Sequence, residues 1–139
     1  MNAFVDYLDA CRKKPFRWGS FDCLTFVHDG LLAQGVKPFA DIRDWEYGDA
    51  SSARVALTSL LKRENVENLG GLYDRYYDRV PYFAREGSIV GITWPNATGG
   101  LITGFTSGSH VVFVDQTGLR FLRPQDIRTR FWEIPCGRQ

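Results

Sequence analysis

The stretch that decides the fold is FRWGSFDCLTFV, residues 16–27, because it joins a turn-forming segment to the start of a helix. Its Trp-Gly pair interrupts the preceding pattern, and Ser20 is predicted to cap a helix with Cys23 in the first turn. Unpaired backbone N–H groups and the helix dipole lower the pKa of a thiol at such a position. The charge of Asp22 opposes that effect. Cys23 is therefore either a cysteine nucleophile or a small buried apolar side chain.

Apolar residues at helical spacing predict that the first half of the chain is helical. An amphipathic helix is expected from Asn2, its N-cap, to Lys14, and a second helix from Ser20 to a C-cap at Gly35. A third helix follows Ser51 and Ser52. Residues 64–80 are predicted to hold one more short helix, which ends before Pro81.

From Gly87 the apolar period changes to that of β-strands. Strands are predicted at 88–93, 101–105, 110–114, 119–122 and 130–134, with a loop at Trp94–Asn96. Helices followed by antiparallel strands indicate one α+β domain over residues 1–139, with N-terminal helices packed on a C-terminal antiparallel sheet of about four to five strands.

Composition excludes several classes of function. The 139 residues carry a net charge of +1, which is too balanced for a nucleic-acid-binding domain or a polybasic membrane binder. Cys11, Cys23 and Cys136 are too few and too scattered for a disulfide framework or a zinc ribbon, so no metal or other cofactor is expected. Asp6 and Asp9 interrupt the N-terminus where a signal peptide would be apolar, and no run is long enough for membrane insertion.

A cysteine nucleophile needs a base, and the chain has two histidines. His28 follows Cys23 by five residues on the same predicted helix, about 140° round the axis, so its ring is poorly placed and packing is the better interpretation. His110 opens a predicted strand in the other half of the fold, as a base brought in by tertiary packing would. The alternative interpretation is that His110 is only a residue at the edge of a turn. No third, orienting residue is evident, since Arg123 cannot accept a proton from imidazole.

The pattern Trp-Gly-x-x-Asp-Cys-x-x-Phe-Val at residues 18–27 resembles the nucleophile segment of NlpC/P60-type cysteine peptidases. These papain-like enzymes place the cysteine at the start of a helix packed on a β-sheet. The chain also resembles short phage tail-module proteins of NlpC/P60-like type, in the same order, at residues 15–23, 52–57, 85–89 and 117–122. The resemblance implies Cys23 and His110 as catalytic residues, with Trp18, Gly19 and Asp22 as binding residues.

Two departures from that family affect the expected site. Ser88 stands where the family has the Asp of a Gly-Asp pair. The peptidase histidine normally opens a His-Val-Gly strand soon afterwards, and two registers compete for that strand. Either His110 opens it after an insertion, or residues 101–104 take its place and the catalytic histidine is lost.

The resemblance implies two functions of different classes. One is a structural component of a phage tail tip or baseplate, synthesised in the host cytoplasm, located in the virion and packed against other tail proteins, with an incomplete catalytic site. The alternative is an active tail-associated endopeptidase or amidase that cleaves peptidoglycan stem peptides through a Cys23–His110 dyad. A host amidase or transpeptidase of the same fold is a third option.

Overall fold

The computed structural model describes residues 2–38, 42, 45–80, 86–93, 101–123 and 129–134. Cys136, Arg85 and the loop predicted at 94–96 lie outside these ranges. The elements are α1 (Ala3–Cys11), α2 (Cys23–Ala33), α3 (Ala50–Arg63), α4 (Leu69–Tyr76), β1 (Asp78–Val80), β2 (Ile89–Thr93), β3 (Leu101–Ser107), β4 (His110–Asp115), β5 (Gly118–Leu122) and β6 (Thr129–Glu133). The predicted α+β class is confirmed.

The sheet is antiparallel, and its strands lie in the order β1-β6-β2-β3-β4-β5. It has six strands, so the prediction of four to five was too low. The additional strand is β1, in residues 64–80, where the sequence predicted only a short helix. The helix ends at Tyr76, and residues 78–80 pair with β6 in the register Asp78↔Glu133 to Val80↔Phe131.

Polar side chains cap the described helices. Asn2 caps α1 as predicted, since its side chain accepts hydrogen bonds from the N–H groups of Phe4 and Val5. The cap of α2 is Asp22 and not Ser20. Asp22 and Thr25 form a reciprocal capping box, which satisfies backbone donors at both ends of the first turn. This cap makes Cys23 the first residue of α2.

The helices pack on one face of the sheet through aromatic side chains. The Phe105 ring on β3 lies edge-on to Phe4 of α1, at 5.2 Å between centroids, and to Phe26 of α2, at 5.4 Å. Gly30 lets α2 approach this closely, because a Cβ at that position would collide with the Phe105 ring. Phe105 thereby fixes α2, and with it Cys23, against the middle of the sheet. Among the described helices, none has the length and apolar character needed to cross a membrane.

Candidate functional site

A tight turn leads into α2. Arg17 and Phe21 form an isolated antiparallel bridge, with backbone N···O distances of 2.8 and 3.0 Å. Gly19, between them, has a φ of +83°, and a Cβ there would collide with the Tyr47 carbonyl. The half-buried Trp18 packs its ring edge-on against Phe16, at 5.0 Å between centroids. The turn therefore requires the glycine that the sequence provides.

The Asp22 carboxylate holds this turn, the start of α2 and the segment before α3 together. It is fully buried. Oδ1 accepts hydrogen bonds from the N–H groups of Leu24 and Thr25, both at 2.9 Å. Oδ2 accepts from Gly19 N–H and from the Tyr47 hydroxyl, both at 2.8 Å. Four donors satisfy a buried carboxylate, so Asp22 has a structural role in this site.

The Cys23 side chain is partly exposed and lies where α2 meets β3. Backbone hydrogen bonding at Cys23, Leu24 and Thr103 favours the thiolate, as expected at a helix N-terminus. Burial of the sulfur has the larger effect and raises the pKa, and the charge of Asp22 raises it further, to about 12. The lowering that the helix terminus was predicted to cause is present, but burial and the charge of Asp22 outweigh it. At neutral pH Cys23 is a protonated thiol.

A pocket of about 480 Å³ lies beside this thiol. Its helical wall comes from α2 and α3 and consists of Leu24, Ala50, Ala53, Arg54, Leu57 and, from α4, Leu69. Its sheet wall is formed by Leu101, Ile102 and Val114, its rim by the turn residues Asp115, Gln116 and Thr117, and one end by Phe16 and Trp18. A largely apolar cavity of this size with a few polar groups is typical of ligand and peptide sites.

His110 lies at the other end of the β3–β4 pair. It pairs with Ser107, whereas the sulfur of Cys23 lies at Thr103, about 13 Å further along the strand. The His110 ring has Ser109 Oγ 3.3 Å from its Nδ1 and lies edge-on to Phe121. The structure thus brings Cys23, Trp18, Gly19 and Asp22 together and leaves His110 apart from them.

His28 is buried in α2, and its Nδ1 lies 2.8 Å from Asp29 Oδ1. It does not line the pocket beside Cys23 but a smaller cavity between α2 and α3. The prediction that His28 serves packing agrees with this position. The described residues contain no group of three or more His, Cys, Asp or Glu side chains that could hold a metal ion.

Sequence reasoning missed two polar residues behind the thiol. Thr103 on β3 and Tyr73 on α4 are both buried. Burial raises the pKa of Tyr73, and the nearby Thr103 side chain partly offsets that effect. The position of Thr103 in a strand, with Leu101 and Phe105 on the same face, is the one signal that could have indicated its inward direction. Nothing in the sequence places Tyr73 beside it.

The raised pKa of Cys23 predicts a stability change at alkaline pH. The thiol loses its proton near pH 9 in the unfolded chain and near pH 12 in the folded one, so its stabilising contribution is complete below pH 9 and is lost between those values. The free energy of unfolding should therefore fall more steeply from pH 9 to 10.5 in the wild type than in Cys23→Ser, whose hydroxyl does not titrate. Urea denaturation at each pH measures this.

The comparison of the wild type with Cys23→Ser also controls for other buried groups that titrate at alkaline pH. Burial also raises the pKa of Cys11, and that of Tyr77 to about 12. Loss of a proton from either group therefore also destabilises the fold as pH rises. They are present in both proteins, so the difference between the two curves isolates Cys23. Parallel curves would show that the sulfur is not desolvated.

A family model described as a domain of unknown function, DUF6950, matches residues 1–134. No curated protein and no solved structure is significantly similar to the chain.

Proposed function

Because the chain belongs to the DUF6950 family, a domain family of unknown function, we propose a function from its site and from its resemblance to NlpC/P60-type proteins. The protein is a structural component of a phage tail tip or baseplate. It uses a papain-like NlpC/P60-type fold with an incomplete catalytic site to pack against neighbouring tail proteins in the virion.

The observation that carries this proposal is a protonated thiol with no histidine beside it. A cysteine peptidase needs a base within hydrogen-bond reach of the sulfur and a thiol that ionises readily. The described residues that line the pocket include no histidine, and the pKa of Cys23 is raised to about 12. The arrangement of Cys23 suits packing better than acyl transfer.

The strand beside the thiol supports the register in which the catalytic histidine is lost. In that register residues 101–104 take the place of the His-Val-Gly strand. The structure has β3 begin at Leu101, and Leu101 and Ile102 line the pocket that contains Cys23. Aliphatic side chains line this part of the pocket, as expected if that register applies.

One observation favours the alternative, an active peptidoglycan endopeptidase or amidase. The backbone hydrogen bonding around the sulfur, at Cys23, Leu24 and Thr103, is the kind of donor set that stabilises an oxyanion in acyl transfer. This alternative still requires a base near the sulfur, and His110 does not supply one in this structure.

The two functions differ in what Cys23→Ala does to purified phage particles that carry this gene. We expect mass spectrometry to detect the protein in the tails, and Cys23→Ala particles to assemble and infect like the wild type. Purified wild-type protein should release no soluble fragments from peptidoglycan sacculi. Cys11→Ala, which removes a buried thiol outside the pocket, is the matched control for loss of a sulfur.

Hydrolysis of sacculi by the wild type that Cys23→Ala abolishes would replace the structural function with the enzymatic one. Absence of the protein from tails would contradict the location in the virion.

A further inference from the structure

The ladder between β3 and β4 stops before either strand ends. Three residue pairs join them, from Ser107↔His110 to Phe105↔Val112. β3 extends four residues beyond this ladder, to Leu101, and β4 extends three, to Asp115. On their other sides these extensions are paired, with β2 and with β5. Within the two described strands, the facing edges of 101–104 and 113–115 therefore have no strand partner, although the Thr103 backbone on this edge hydrogen-bonds to Cys23.

Gly104 marks the point where the ladder stops. The Val112 carbonyl approaches the Gly104 backbone so closely that a Cβ at position 104 would collide with it. A glycine in a strand interior commonly permits such a close approach or a bulge, which locally ends regular pairing. The interruption of the ladder is thus built into the sequence at Gly104.

The pocket beside Cys23 opens at this interruption. Leu101 and Ile102 line it from one strand and Val114 from the other, while Ala53 and Leu57 of α3 face them. An extended chain in this position has strand edges within reach for its backbone and an apolar cavity for alternate side chains. Peptides that add to a sheet edge are recognised in this way.

The charges at the rim of the pocket specify one property of such a chain. Asp115 is neutralised by Arg120, whose Nη1 lies 2.7 Å from its carboxylate. Arg54 lines the same pocket on an exposed position of α3, and no described carboxylate forms an ion pair with it. The rim therefore favours a negative charge on the occupant.

We infer that the pocket beside Cys23 receives an extended segment of a partner chain, with its backbone hydrogen-bonded to the open edge of β3 or β4, alternate apolar side chains in the cavity and an acidic residue at Arg54. This inference rests on the proposed function, since it supplies the contact through which a non-catalytic module packs against a neighbouring protein.

The probe is the peptide acetyl-Asp-Leu-Thr-Leu-Thr-amide, titrated into isotope-labelled full-length protein and followed by the backbone amide signals. We expect shifts and slower hydrogen exchange confined to residues 101–104 and 113–115. N-methylation of alternate peptide nitrogens keeps the apolar area but removes donors, so it should weaken binding about tenfold or more. Decanoate, an apolar chain with a carboxylate but no peptide groups, should bind more weakly than the peptide.

Arg54→Glu tests the charge. It should weaken binding of the peptide about tenfold and have little effect on a peptide with Asn in place of Asp. Arg63→Glu changes the same charge in the last turn of α3, away from the pocket, and should leave both affinities unchanged. Equal weakening by the two variants would reduce the effect to net charge and overturn the role of Arg54.

Three results would overturn the inference: no binding at millimolar peptide, equal binding of the N-methylated peptide, or tighter binding of decanoate. Cleavage of the bound peptide, detected by mass spectrometry, would instead refute the structural function while leaving the peptide site intact. Failure of the inference and failure of the proposed function are therefore distinguishable.

Discussion

Asp22→Ala is expected to lower the free energy of unfolding by about 3–5 kcal/mol. The substitution removes a fully buried carboxylate and leaves four donors without their acceptor: the N–H groups of Gly19, Leu24 and Thr25, and the Tyr47 hydroxyl. Each unsatisfied buried donor costs about 1–3 kcal/mol, and water that enters the space offsets part of the sum. Urea denaturation followed by circular dichroism measures the loss.

Asp49→Ala is the matched control. Asp49 caps α3 with the same reciprocal capping box, but Asp49 is exposed and its carboxylate bonds only to local groups of Ser51 and Ser52 among the described residues. Water can replace those bonds, so the loss should be a small fraction of that for Asp22→Ala. Comparable losses in the two variants would show that the buried bonds to Gly19 and Tyr47 contribute nothing beyond a helix cap.

Alkylation of Cys23 by iodoacetamide at pH 8 is expected to be on the order of a thousandfold slower than that of N-acetylcysteine. Only the thiolate reacts, and a pKa near 12 leaves about one thiolate in ten thousand at this pH, against about one in ten for an ordinary thiol with a pKa of 9.0. Peptide mapping by mass spectrometry separates the rate at Cys23 from the rates at Cys11 and Cys136.

Asp22→Asn tests the physical cause of this slow reaction. The charge of Asp22 raises the pKa of Cys23, and asparagine removes that charge while remaining a good helix cap. The alkylation rate at Cys23 should rise in Asp22→Asn but remain well below that of a free thiol, because burial is the larger cause. A wild-type rate equal to that of N-acetylcysteine would refute the raised pKa and reopen the enzymatic interpretation.

Much of the fold could be predicted because it is encoded locally. The strands β2 to β6 were predicted within two residues at each end, since their alternation and their turn glycines are local features. β1 was missed because it has three residues and exists through pairing with β6, about fifty residues away in sequence. The tyrosines just before β1 recur at helical spacing. That spacing correctly predicted α4, but it gave no indication of the strand that follows.

The cap of α2 shows a signal that was present and was not used. Ser20 was predicted as the N-cap because serine favours that position. Asp22 is an equally good capping residue, and Thr25, three residues later, completes the reciprocal pair. The spacing of Asp22 and Thr25 could have placed the helix start at Cys23 from the sequence alone.

The candidate site was predictable in position but not in its electrostatics. A cysteine at the start of a helix is a local feature, and the structure confirms it. The pKa of that thiol depends on how deeply β3 and α4 bury it, which no local pattern contains. The short turn at Gly108 fixes the register of His110 opposite Ser107 locally, but the position of Cys23 along β3 depends on how α2 packs on the sheet, which is a tertiary feature.

The hydrogen bond from Tyr47 to Asp22 has a consequence for how the pocket meets an incoming chain. Tyr47 lies two residues before the cap of α3, so this bond anchors the first turn of that helix to the start of α2. Ala50 and Ala53, which follow directly, are therefore held in place before anything arrives. An entering segment loses its own conformational freedom but does not have to immobilise that side of the cavity, and this preorganisation favours tighter association than a loosely attached helix would allow.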